Sequence, residues 1–162
     1  MSLPSIAVSQ TPEDRFREFL ASRPKPQRFT EPQRELVEHV FRKHSHFDAE
    51  QLAKELRSAG KAASRATVYR TLAKLVDAGL LRKIEIGQRT IFDHDYGYPW
   101  HEHLVCGRCN EIVEFQHPGI EDALKDISAR HGFRATGHTL VVRGTCAACL
   151  AADQANRRRL VM

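Results

Sequence analysis

The chain has 162 residues, enough for one ordinary domain or two small ones, and its 41% hydrophobic and 28% charged residues are the composition of a soluble globular protein. No apolar run is long enough to span a bilayer, and the opening MSLPSIAVSQTPEDRFREF lacks the basic leader and apolar core of a secretory signal. A cytoplasmic location with reduced thiols is therefore expected, and the net charge of +5 leaves room for an acidic partner.

The pattern from residue 12 to about 80 predicts helices. TPEDRFREFLASR carries Thr11 as a cap and Pro12 in the first turn. TEPQRELVEHVFRK is capped by Thr30, with Pro32 early in its first turn. DAEQLAKELRSAG starts at Asp48 and stops at Gly60, and SRATVYRTLAKLVDAG starts at Ser64 and stops at Gly79. LLRKIEIGQRTIFDH then holds two alternating runs around a Gly-Gln turn, a β-hairpin. Compact helices followed by a hairpin give a winged helix-turn-helix pattern.

Beyond DHDYGYPW the pattern becomes mixed α and β. HEHLVC and EIVEFQ predict short strands, PGIEDALKDISARHG an amphipathic helix opened by Pro118, and FRATGHTLVVRGTC a longer strand. The tail AADQANRRRLVM could continue a helix from the last cysteines, but an exposed frayed end is the expectation. There is no internal repeat and no low-complexity tract.

The four cysteines form two pairs, Cys106-x-x-Cys109 and Cys146-x-x-Cys149. In a reduced compartment two such knuckles predict one tetrahedral zinc, with Zn–S of about 2.3 Å, rather than disulfides. A redox pair is the alternative, but a thioredoxin-like pair opens a helix, whereas NEIVEF after Cys109 alternates like a strand. A four-thiolate site is closed: it holds the fold and leaves no open position for chemistry.

On the helix from Ser64, Val68, Leu72, Leu75 and Val76 share one face, while Arg70 and Lys74 lie opposite, with Thr67 nearby and Tyr69 at the flank. From Arg57 to Lys83 seven basic residues (Arg57, Lys61, Arg65, Arg70, Lys74, Arg82, Lys83) meet one acid, Asp77. A basic helix face beside a basic wing suits a major groove flanked by phosphates; a solvated helix surface is the plain alternative.

RATVYRTLAKLVDAGLL, then HEHLVCGRCNEIVEF, then HGFRATGHTLVVRGTCAAC resemble the ferric uptake regulator superfamily of metal-sensing bacterial transcription factors, over roughly residues 28–149. The resemblance implies an α+β fold with a winged-helix DNA-binding domain (1–92, of which 1–27 are an extension and first helix), a hinge (93–100) and a dimerisation domain (101–162). It implies a homodimer on a palindromic double-stranded operator, with no enzymatic step, no small-molecule substrate and no membrane partner.

It also assigns the remaining donors. A sensory site would take His46, Asp93, His101, His103 and Glu114. His101 and His103 are two apart and so point the same way on a strand. His46 belongs to the DNA-reading half and the histidine pair to the dimer half, so filling the site would favour one DNA-competent arrangement. Nitrogen and carboxylate donors suit Fe(II), Mn(II), Co(II) or Zn(II). No cysteine is left over for the zinc-uptake type, so structural Zn(II) and regulatory Fe(II) are expected, with manganese or peroxide sensing next. A further site in many members would use position 100 with Glu102, Glu121 and His138, but Trp100 cannot coordinate. For DNA the resemblance points to Arg28 in a minor groove, Ser64 and Arg65 at the helix start, and Thr67, Tyr69 and Arg70 on the recognition face. His39, His44 and His131 read as ordinary histidines. Two rivals remain: a zinc hydrolase using His101, His103 and Glu114, and a zinc-stabilised interaction module with no DNA role.

Overall fold

Helices of the N-terminal unit begin where a side chain can satisfy an orphan backbone group. The computed structural model describes residues 7–43, 45–86 and 88–160, and the chain divides after Pro99 into two compact units. His44 and the Gly87 of the expected turn lie outside the described residues. Before α1 (Pro12–Ser22), Thr11 Oγ1 accepts from the Asp14 amide at 3.1 Å. At α2 (Glu31–Arg42) the Thr30 amide donates to Gln33 Oε1 at 3.1 Å. Asp48 accepts from the Gln51 amide at 2.7 Å to open α3 (Ala49–Ser58), and Ser64 from the Thr67 amide at 3.2 Å to open α4 (Arg65–Asp77). A cap of this kind is worth about 0.5–2 kcal/mol.

The same logic ends α4. Gly79 has φ +65°, its amide donates to the Val76 carbonyl at 2.9 Å, and the Leu80 amide reaches back to Leu75 at 2.9 Å. This closure needs a left-handed residue, which glycine adopts without a Cβ clash. The turn delivers Leu80 and Leu81 to the core and starts β1 (Leu81–Ile86), which pairs antiparallel with β2 (Arg89–His94). Phe47 adds an isolated bridge to Phe92. Phe16 and Leu20 from α1, Leu36 and Val40 from α2, Leu52 and Leu56 from α3, and Val68, Leu72 and Leu75 from α4 close one core with Phe47 and Phe92. Each large apolar side chain so buried contributes about 1.5–3 kcal/mol. The expected winged-helix architecture is present.

The C-terminal unit has β3 (Glu102–Cys106), β4 (Ile112–Phe115), α5 (Pro118–Arg130), β5 (Val141–Gly144) and α6 (Ala147–Leu160). The sheet order is β4-β3-β5, antiparallel then parallel, with α5 in the crossover connection. Two expectations change. The long strand over 133–146 shrinks to β5, because His103 already pairs with Val141 and residues before 140 would run past the start of β3. Through Leu160 the tail is helical rather than frayed: α6 is alanine-rich at its start, and Arg108 ties it down by donating to the Cys149 carbonyl at 3.3 Å and pairing with Asp153.

Little of this unit is buried among its own residues. No residue of α5 is buried. Leu104, Val113 and Val142 are 42%, 43% and 44% exposed, and the register sets Leu104 beside both of the others in one apolar stripe.

Candidate metal centres and nucleic-acid interface

Both cysteine knuckles come from turns at strand ends. Cys106 ends β3, and the chain doubles back through Asn110, which takes φ +60° and donates its amide to the Cys106 carbonyl at 3.0 Å. Gly107 donates to the Gly144 carbonyl at 2.9 Å, fixing the first knuckle to the end of β5. Cys146 precedes α6 and Cys149 lies in its first turn. The four sulfurs all lie within 4.8 Å of one another, and Cys109 and Cys146 Sγ are 3.6 Å apart. That separation is far too long for a disulfide, near 2.0 Å. It suits sulfurs around tetrahedral zinc, which at Zn–S of about 2.3 Å sit roughly 3.8 Å apart. Backbone amides, the Cys109 amide first, bring the Cys106 thiol down to about 6. The Cys149 amide also favours the Cys146 thiolate, but the Glu111 side chain, burial and the neighbouring sulfurs outweigh it and push that thiol up to about 12. Four thiolates together need a cation, and the donor set fits zinc.

The expected sensory residues fall in both units. In the first, His46 Nε2 lies 3.6 Å from Asp93 Oδ1, while Asp93 Oδ2 accepts from Arg82 Nε at 2.9 Å. Asp93 also accepts from the His94 amide at 2.8 Å and is buried. In the second, His101 and His103 offer ring nitrogens within 4.8 Å of one another, with ring centroids 4.9 Å apart. Glu114 on β4 stands directly opposite His103, so the carboxylate and the imidazole share a sheet face. Imidazole and carboxylate donors fit a borderline or hard divalent cation.

Glu102, between the two histidines, points to the other face and meets His138 Nε2 at 3.0 Å. Trp100 packs on the His138 ring with centroids 5.1 Å apart. Glu121 is exposed on α5 with Lys125 3.7 Å away, and it is not gathered with Glu102 and His138 into a three-donor group. Two donors beside an indole do not fit a divalent site as they stand. His39 pairs with Glu55 at 3.1 Å and His131 caps α5, both ordinary structural uses.

On α4, Val68, Leu72 and Leu75 are buried, while Arg65, Tyr69 and Arg70 are exposed and Thr67 is half-buried. Arg28 is exposed between α1 and α2, and Ser64 is exposed at the α4 cap. Lys74 is held below its ordinary value by burial and by the nearby Arg23 and Arg70 cations. Crowded cations on one face favour an anionic partner. Arg82 leaves the expected basic patch: its side chain is only 11% exposed and committed to Asp93. Three contacts carry no sequence signature. Tyr69 and Arg65 both bond Glu50 of α3, and Arg89 of the wing bonds Asp48 at 2.6 Å.

Residues 25–143 match the model of the ferric uptake regulator family. The chain is 37% identical over 103 residues to the ferric uptake regulation protein of Escherichia coli strain K12, covering 63% of this chain and 69% of that protein. It is similar to the solved Vibrio cholerae ferric uptake regulator, described as revealing a rearrangement of its DNA-binding domains (TM-score 0.63, 34% identity, 74% of this chain and 92% of the other). It is also similar to the Pseudomonas aeruginosa ferric uptake regulator solved with manganese (TM-score 0.73, 26% identity, 85% and 99%). The comparisons lend the hydrolase alternative no support.

Proposed function

The chain belongs to the ferric uptake regulator family, and from that premise we propose that it is a cytoplasmic, Fe(II)-responsive repressor that reads a palindromic DNA operator as a homodimer. The observation that carries this reading is how its donors are distributed. His46 and Asp93 belong to the winged-helix unit, and His101, His103 and Glu114 belong to the unit that carries the four cysteines. A regulator needs its exchangeable ligands divided in this way if filling the site is to favour one DNA-competent arrangement. The cysteines serve a separate purpose, since thiolates make a tight, closed zinc site that does not report supply.

DNA binding is supported by the exposed Arg65, Tyr69 and Arg70 on α4 and by the cation crowd around Lys74. Dimerisation is supported by the apolar stripe of Leu104, Val113 and Val142, which the unit's own residues do not cover. Manganese is the second reading, because the same donors accept it and the Pseudomonas aeruginosa relative was solved with it.

The test pairs metal analysis with a mobility-shift assay on a duplex selected from a randomised library. Fe(II), Mn(II), Zn(II) and EDTA are compared. Retained zinc of about one per chain, with a shift under Fe(II) that EDTA abolishes, is the expected result. A shift under Mn(II) alone would favour the second reading, and binding indifferent to metal would overturn both.

A further inference from the structure

Arg65 and Tyr69 are four residues apart and so share one face of α4. The guanidinium carbon sits 5.8 Å from the centre of the phenol ring. Both side chains are exposed, and two exposed polar side chains would ordinarily sample several rotamers. Here both are bonded to one group. A single oxygen, Glu50 Oε1 in the first turn of α3, accepts from the Tyr69 hydroxyl at 2.5 Å and from Arg65 Nε at 2.7 Å and Nη2 at 2.6 Å. The helix N-terminus favours the ionised form of an acid placed there. Tyr69 and Arg65 hold the Glu50 carboxyl below its ordinary value, the Tyr69 hydrogen bond most of all.

The arrangement has three consequences for a surface that meets DNA. With its proton donated to Glu50, the Tyr69 hydroxyl keeps only acceptor capacity outward, and its ring is what remains for a thymine methyl. Arg65 spends its Nε edge on Glu50, so less of the fork remains for a phosphate. The carboxylate itself repels the phosphate backbone of any duplex, whatever its sequence.

We propose that Glu50 is a positioning residue for sequence recognition: it fixes the Arg65 guanidinium and the Tyr69 phenol in one arrangement before DNA arrives, while its negative charge lowers affinity for every duplex alike. This rests on the DNA-reading function proposed above. Through the positions it fixes Glu50 sets the difference between operator and other DNA, and through its charge it lowers both affinities equally.

The test measures binding of the metal-loaded full-length protein to its selected duplex and to a scrambled duplex of the same composition, at one salt concentration because the phosphate contribution varies with salt. Wild type, Glu50→Gln and Glu50→Ala are compared, each checked for an unchanged thermal melt. Gln keeps the acceptor and removes the charge, so both affinities should rise together and their ratio should hold. Ala removes both, so scrambled-duplex affinity should rise while the ratio falls about tenfold, the scale of losing order in two side chains. Tyr69→Phe in the Glu50→Ala background should reduce the ratio less than it does alone. A wild-type ratio in Glu50→Ala, or an equal loss of ratio in Glu50→Gln, would overturn the positioning role. Wild-type protein that selects no duplex at all would instead remove the DNA-reading function on which it rests.

Discussion

Arg82 and Asp93 face each other across the wing hairpin, with Nε and Oδ2 2.9 Å apart. Both side chains are nearly buried, and the second carboxylate oxygen lies 3.6 Å from His46. A residue proposed to hold the signal metal is thus tied directly to a strand of the DNA-binding wing. Arg82→Ala should remove a close cationic partner of a buried charge, a loss of about 3 kcal/mol. A bound divalent cation replaces part of that compensation. The variant should therefore melt well below wild type in EDTA and gain more than wild type when Mn(II) is added. Coincident melts in EDTA would show that the pair contributes nothing.

The cysteine site makes a separate prediction. The C-terminal unit has few buried apolar residues, with Val105 and Cys106 among them, so its stability leans on whatever joins its two knuckles. Structural zinc binding is itself folding free energy. Cys106→Ser or Cys146→Ser should lose zinc and the cooperative melt of this unit. The core of the winged-helix unit, with Tyr96 packed against it, lies wholly before Trp100 and should keep its own transition. Full zinc content in either variant by metal analysis would contradict a four-thiolate site.

How much of this was legible in the sequence depends on the range of the interaction. Caps at Thr11, Asp48 and Ser64 are local and could be read from one residue and its neighbours. The pairing of Ile86 with Arg89 at the hairpin's end fixes the register that places Arg82 opposite Asp93, although the cation count alone put Arg82 in the DNA patch. The cysteines were legible because thiolate pairs at that spacing have few other uses. The proposed sensory set can be assembled only through a family resemblance, because single histidines carry no spacing signal of their own. The bonds from Arg65 and Tyr69 to Glu50 were not legible at all: they depend on how α3 packs against α4, which periodicity does not fix. The reach of β5 was misjudged because strand length follows the partner strand as well as the run of apolar residues.

The apolar stripe gives a third prediction. Leu104 is the central member, beside Val113 on one side and Val142 on the other. Leu104→Glu would place a charge in the middle of the proposed interface between copies, where an unpaired charge costs several kcal/mol. The variant should sediment as a monomer and bind a palindromic duplex far more weakly, with zinc content unchanged. A dimer of wild-type stability by analytical ultracentrifugation would move the interface elsewhere.

A fourth prediction concerns pH. Burial works against the Glu55 carboxylate, but hydrogen bonds from Lys43, His39 and Gln51 outweigh it and bring the carboxyl from 4.5 to about 2. A folded value below the unfolded one stabilises above the unfolded value, and the gain is lost as pH falls towards the folded value. Glu55→Gln should cost about 1–2 kcal/mol at pH 7, allowing for screening of this partly exposed cluster. The gap from wild type should narrow as pH falls from about 5 towards 2. Urea denaturation at pH 7 and pH 3.5 reads it directly, and a constant gap would assign the loss to packing instead of charge.

The sharpest prediction falls on His46. It lies just before the Phe47 bridge in the winged-helix unit, more than fifty residues ahead of His101, and no part of the cysteine site. His46→Ala should leave the four thiols untouched, so the protein should retain about one zinc per chain and remain a dimer. Its basic face is also intact, so weak, salt-sensitive binding to any duplex should persist. What should vanish is the rise in operator affinity on adding Fe(II), because the winged-helix unit loses its imidazole donor to the exchangeable site. His101→Ala should give the same phenotype from the other unit, and the double variant should be no worse than either alone, as expected for two donors to one ion. Additive losses would mean that His46 and His101 act independently rather than on one ion, and a full metal response in His46→Ala would mean that the metal acts within the C-terminal unit alone and that the link to DNA runs through other residues.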